Sequence, residues 1–194
     1  MILFFDTETT GIPAYSLAPD EECQPHIVQL AVIMTEDDGT ERGSFNLIVD
    51  PPIDIPKQAS DVHGITKEIA SRSGVTPVAA IALFGLFVSK CDRIAAHNLK
   101  FDLALIETAR LRCKRNIVIP ALQTCTMDIA TPILNLAPTD RMVKAGFNKP
   151  KPPKLEECIR HFYDEELSGA HDALVDVRAC ARVYFELVSM GAIQ

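Results

Sequence analysis

The opening strand confines the fold more than any other stretch. "ILFF" offers no polar face, so a strand built from it has to be covered on both sides, in the middle of a sheet. Two carboxylates follow at once, Asp6 and Glu8, with only Thr7 between them. Side chains alternate along a strand, so Ile2, Phe4, Asp6 and Glu8 project from one face. The two acids then stand side by side at the strand's carboxyl end, where open α/β sheets bind their ligands. Like charges this close repel, and burial makes each more costly, so something has to neutralise them. A bare turn is the plain alternative, since Asp and Thr are frequent at strand ends and Gly11 closes one. Two same-face carboxylates are also a natural pair of oxygen ligands for Mg²⁺ or Mn²⁺.

The rest of the chain reads as strands first and helices later. "GIPAYSLAPDEECQP" is a loop, "HIVQLAVIM" a second strand, and Asp38-Gly39 a turn into a third, "SFNLIVD". "PPIDIP" breaks the chain before a helical region over about residues 66–89. "RIAA" is a short strand leading through His97 into a helix from about Asn98 to Arg112. Another short strand lies near "NIVIPALQTC", followed by a helix to about Ile133, a loop to Pro153, a helix over Leu155 to Phe162 and a last helix from near Asp172. Hairpinned strands followed by alternating strands and helices imply an α/β fold with a mixed sheet. The 194 residues fit a single domain, 1–194, and 47% hydrophobic with 23% charged residues is ordinary globular composition. The longest apolar stretch, "VAAIALFGLFVS", is too short for the roughly 20 residues that span a bilayer, so it is expected as a core helix with no membrane partner. Six scattered cysteines without a Cys-x-x-Cys pair argue against structural zinc, and with no recognisable leader a cytoplasmic location is expected.

Two further stretches carry acids that a core should reject. In "AAHNLKFDLALI", Asn98 suits an N-cap, while Asp102 shares a helix face with Leu105, Ile106 and Ala109 and so leans toward the core. The helix dipole favours an acid in the first turn by about 0.3–1 kcal/mol, enough for an exposed group but not for a buried one. A metal explains it better. In "GAHDALVDVRA", Leu174, Val177, Ala181, Tyr184, Phe185 and Val188 form the apolar stripe, Asp172 suits the N-cap, and Asp176 lies at the stripe's edge. On one continuous helix His171 and Asp176 would be about 140° apart, so His171 is expected on the loop before it. A loop His beside an acidic metal cluster is a candidate general base, its ordinary pKa being about 6.5.

The formal net charge of −7 repels phosphates at long range. It is unevenly spread: "RMVKAGFNKPKPPK", 141–154, holds basic residues and no acid, either as a solvated connector or as a contact for nucleic acid.

"FFDTETTG", "HNLKFD" and "HDALVD", in this order, resemble the three motifs of the DEDDh 3′-to-5′ exonucleases, which include the proofreading subunit or domain of bacterial replicative DNA polymerases and ribonuclease T. "DVHGIT" resembles the segment those enzymes carry between the first two motifs. The resemblance runs over about residues 1–188. It implies a ribonuclease H-like fold, a mixed five-stranded sheet flanked by helices, and a site built from Asp6, Glu8, Asp102, His171 and Asp176. Asp6 and Asp176 with Glu8 would hold one divalent ion, Mg²⁺ or Mn²⁺, and Asp6 with Asp102 a second. Such a pair acts as a two-metal clamp on phosphodiester hydrolysis, with His171 taking the proton of the attacking water. Similarity extends to Thr9, Thr10, Gly11 and Ile12 around the terminal nucleotide, His63 near the substrate, and Asn98 orienting the backbone before Asp102.

The activity implied is release of nucleoside monophosphates from a nucleic-acid 3′ end, DNA ahead of RNA, and capture of an end by metals does not need a basic groove. RNA 3′-end trimming uses the same motifs, and a non-catalytic nucleic-acid-binding module would not need all five site residues. An aspartyl phosphatase would require Asp-x-Asp where this chain has Glu8, and nothing supports a Cys-His hydrolase. The long loop from Ile12 to His26, the connector 136–153 and Val177 in place of a smaller residue depart from the family pattern. The ending "MGAIQ" leads to the expectation that a polymerase-tethering tail is absent.

Overall fold

The computed structural model describes residues 1–193. Strand β1 (Ile2–Thr9) is central, in a five-stranded sheet of order β3-β2-β1-β4-β5. β2 (Ile27–Thr35) pairs antiparallel with β1 and with β3 (Glu41–Ile48), whereas β4 (Arg93–Ala96) and β5 (Leu122–Cys125) add in parallel on the other side. The unbroken apolar run of β1 is used on both faces. Leu3 and Phe5 pack with Phe84, Leu105 and Ile106, while Ile2 and Phe4 pack with Val177, Cys180 and Tyr184. The result is a three-layer α/β/α arrangement.

The helices are α1 (Lys57–His63), α2 (Lys67–Ser73), α3 (Pro77–Val88), α4 (Leu99–Arg112), α5 (Thr126–Leu134), α6 (Asp140–Lys144), α7 (Leu155–Tyr163) and α8 (Ala173–Ser189). The single helical region expected over 66–89 is two helices. Gly74 ends the first, at a point where a Cβ would meet the Ala70 carbonyl oxygen at 2.5 Å and the Asp50 nitrogen at 2.8 Å, so the chain passes too tightly for a side chain. Thr76 and Pro77 restart the helix as cap and first residue. Helix α1 interrupts the stretch read as broken by proline, and α6 interrupts the expected loop to Pro153. Neither buries a residue, so no apolar period marks them. β3 begins three residues earlier than "SFNLIVD" because pairing with β2, not apolar content, sets its start.

The last helix buries a slightly different stripe from the expected one. Ala173, Val177, Cys180, Val183, Tyr184 and Leu187 face the sheet, Leu174, Ala181 and Phe185 are half-buried, and Val188 is exposed. Tyr184 meets the edge of Phe4, ring centroids 5.1 Å apart. No helix among the described residues is long and apolar enough to cross a membrane.

Candidate active site

β1 and β4 run parallel, so the carboxyl end of β1 and the start of α4 meet at one end of the sheet. The antiparallel register of β1 with β2 slips between Glu8, opposite Gln29, and Thr9, opposite Ile27. Such irregularities re-aim side chains, and this one falls where the first motif leaves the sheet. Asp102, in the first turn of α4, is only 2% exposed. One of its oxygens, Oδ1, accepts both the Thr7 amide (3.1 Å) and the Thr7 hydroxyl (2.7 Å). The middle residue of "DTE" thus ties the first motif to the second across 95 positions.

Helix α8 approaches from the other face. Asp172 caps it, accepting the Leu174 amide at 2.9 Å, and the buried Gln29 accepts the Ala173 amide at 3.2 Å while donating to Asn46. Gln29 is a buried polar residue within an apolar run of β2, and it fixes the helix start beside Glu8. His171 lies on the turn before the helix with φ of 69°, and its amide donates to Asp176 Oδ2 at 3.0 Å. One oxygen each from Glu8 and Asp176 and a ring nitrogen of His171 all lie within 4.8 Å of one another.

The electrostatics of this corner follow from its geometry. Burial, then the charges of Asp102, Asp176 and Glu8, hold the Asp6 carboxyl well above the usual carboxylate range. Burial first, then Asp176 and Asp102, pushes Glu8 up to about 8. Burial raises Asp102 to about 7 against the pull of the two Thr7 hydrogen bonds, and raises Asp176 against the His171 amide. Among the described residues, no lysine or arginine forms an ion pair with any of the four acids. Four converging carboxylates without a cationic side chain are a hard-oxygen donor set, which fits divalent Mg²⁺ or Mn²⁺.

The remaining expected contacts spread around this cluster. Thr9 and Thr10 are buried; Thr9 Oγ1 donates to the Gly11 carbonyl at 2.6 Å, and Thr10 Oγ1 accepts the His26 amide at 2.9 Å. Ile12 is 80% exposed at the rim. His63 ends α1; its Nδ1 accepts the Ile65 amide at 3.1 Å, and its ring lies beside Thr9 and His171, where burial lowers its pKa. Asn98 precedes α4 but does not cap it through its side chain. It takes the left-handed conformation, φ 70°, which Asn tolerates, and its main-chain oxygen accepts the Phe101 amide.

The basic stretch 141–154 is partly committed. Lys151 pairs with Glu157 and Lys154 with Glu156, and the His97 ring bridges Thr126 Oγ1 (2.9 Å) and the Pro153 carbonyl (3.0 Å), fastening the end of the connector to the sheet. Thr7 and Gln29 were not singled out from the sequence. Of the two, only Gln29, a polar residue inside an apolar run, carried a readable signal.

Three likenesses to known proteins accord with this arrangement. The chain is 33% identical over 124 residues to a DNA polymerase III subunit epsilon-like protein of Rhodobacter capsulatus, a match covering 62% of this chain and 16% of that one. It superposes on E. coli Exonuclease I in complex with a dT13 oligonucleotide with a TM-score of 0.73 at 21% identity, covering 96% of this chain and 40% of that one. Exonuclease X in complex with 5′ overhanging duplex DNA matches with a TM-score of 0.61 at 19% identity, over 100% of this chain and 95% of that one. The profile of the exonuclease family matches residues 3–184, and the chain belongs to that family, in its DEDDh-type 3′-to-5′ branch.

Proposed function

We propose that the protein is a metal-dependent 3′-to-5′ exonuclease that removes nucleoside monophosphates from single-stranded or mismatched DNA ends. The observation that carries this reading is the convergence of Asp6, Glu8, Asp102 and Asp176, all with raised pKa, on one corner that also holds His171. Asp6, Glu8 and Asp176 would hold one divalent ion, and Asp6 with Asp102 a second; bound there, the ions would supply Lewis acidity to a water nucleophile and to the leaving 3′ oxygen. His171, on its exposed turn, would accept the proton of the attacking water at a ring nitrogen. The backbone from Thr9 to Ile12 and the His63 edge position the terminal nucleotide, and Asn98 sets the chain direction into Asp102.

DNA is preferred as substrate because the solved relatives named above are complexes with DNA, and an epsilon-like relative makes a polymerase partner the natural one to test. The deciding experiment incubates three 5′-labelled substrates with protein and Mg²⁺: single-stranded DNA, a duplex with a mismatched 3′ end, and RNA of the same sequence. Fastest shortening of the two DNAs supports the proposal. Faster shortening of RNA replaces it with 3′-end trimming of RNA, and no shortening of any substrate defeats it.

A further inference from the structure

The loop from Ile12 to His26 is long, but it is not loose. Gln24 is buried and closes it from within: its Oε1 accepts the Ala14 amide at 3.0 Å, and its Nε2 donates to the carbonyls of Ala14 (3.0 Å) and Ala18 (3.1 Å). Arg112, at the far end of α4, grips the other half from outside. Its guanidinium donates to the carbonyls of Glu21, Glu22, Gln24 and Pro25 at 2.8–3.2 Å. Main-chain carbonyls that would otherwise face water are thereby fixed by two side chains whose hydrogen-bond partners among the described residues all lie in this loop.

This bracing holds one aromatic ring in a particular place. Tyr15 is 53% exposed, and Lys100 Nζ lies over it at 4.7 Å from the ring centroid. Lys100 is in the first turn of α4, two residues before Asp102, and the Tyr15 hydroxyl, whose pKa is raised by burial first and then by the Asp102 charge, lies within that acid's field. The pair lines a cavity of about 360 Å³ together with Leu103, Ala104, Ile119 and Gln123. Glu107, the acid on its wall, is neutralised by Arg110 through two hydrogen bonds. What remains is one cation over one aromatic ring next to apolar side chains, within the field of Asp102. That is the chemistry that takes an unpaired base and its phosphate.

We propose that Tyr15, Lys100 and this cavity form a subsite for a nucleotide upstream of the scissile one, which selects single-stranded DNA. The base rests against the Tyr15 ring and the phosphate pairs with Lys100; a base held in a duplex is unable to turn into the groove. This rests on the exonuclease reading given above. Tyr15 and Lys100 act here as specificity residues and take no part in the chemistry.

The test compares Tyr15→Leu and Lys100→Gln with the parent on two substrates: the p-nitrophenyl ester of thymidine 5′-monophosphate, which has no upstream nucleotide, and a single-stranded DNA octamer. Tyr15→Leu is expected to raise KM for the octamer by about 5- to 150-fold, the loss of one base–aromatic stack, with kcat unchanged. Lys100→Gln is expected to reduce the slope of log affinity against log salt by about 0.7. Both variants should hydrolyse the ester at the parental rate. If the parent itself fails on both substrates, the exonuclease reading falls. If the parent is active and Tyr15→Leu leaves the octamer KM unchanged, or impairs both substrates equally, the subsite is refuted while the exonuclease reading stands.

Discussion

Replacing Asp102 by Asn removes a charge without removing its hydrogen bonds. Both Thr7 donors, amide and hydroxyl, reach the same oxygen, Oδ1, which the amide side chain also provides. Burial sets the Asp102 carboxyl at about 7 against its ordinary 3.8. The folded state therefore keeps its proton to higher pH than the unfolded chain. The penalty for ionising it is absent below about pH 4, grows up to about pH 7, and is complete above that. A difference of about 3 pH units corresponds to about 4 kcal/mol at most. Relaxation and water penetration reduce this, so Asp102→Asn is expected to be more stable than the parent by about 1–4 kcal/mol at pH 8 in chelator. The advantage should shrink to about 1 kcal/mol or less near pH 4.5. Urea unfolding of both proteins in EDTA at the two pH values measures it, and Mg²⁺ should narrow the gap at pH 8 by stabilising the parent more. A variant less stable than the parent at pH 8, or an advantage equal at both pH values, would refute the claim that Asp102 is held in the interior against the cost of ionising it there.

His171→Ala should lower turnover about 10²–10⁴-fold while binding of single-stranded DNA changes little, and His171→Asn should not restore it; a loss no larger than that of His63→Ala would remove His171 from the role of base. Gln29→Leu leaves the Ala173 amide buried without its partner, at a cost of about 1–3 kcal/mol in urea unfolding, and should slow turnover by displacing Asp176; unchanged stability and turnover would show that Gln29 does not set the position of α8. Of the basic connector, Lys144 and Lys149 make no ion pair among the described residues, so changing both to Gln should reduce the salt slope of binding to a long oligonucleotide by about 1.4. An unchanged slope would assign the stretch to solvent. Phe4→Ala should cost about 3–5 kcal/mol, read as a lower urea midpoint, because it empties the contact with Tyr184 and Phe185.

What the sequence made legible was whatever depends on a short period or a short spacing. The two-sided apolar run put β1 at the sheet centre, the alternation put Asp6 beside Glu8, and the helical period turned Asp102 inward, where it is buried. Features set by distant partners were not legible. Nothing near Thr7 announces a hydrogen bond to a residue 95 positions away, and nothing in "PAYS" says that Arg112 will brace its loop. Asn98 does stand at the N-cap of α4, but in the left-handed conformation and without a side-chain hydrogen bond to the helix, a detail that residue type does not announce. The fault in the stripe of α8 came from passing over Cys180 and Leu187 in favour of Ala181 and Val188, in each case a shift of one residue that only packing against the sheet resolves.

The central claim is that this acidic corner hydrolyses DNA from its 3′ end with the help of divalent ions. Its most direct measurement follows a 5′-labelled single-stranded oligonucleotide on a denaturing gel, with the released product identified by mass. The account predicts a ladder of single-nucleotide steps and nucleoside 5′-monophosphates in Mg²⁺, with neither formed in EDTA or by Asp6→Ala. Internal cuts, nucleoside 3′-monophosphates, or an unchanged ladder from Asp6→Ala would contradict it.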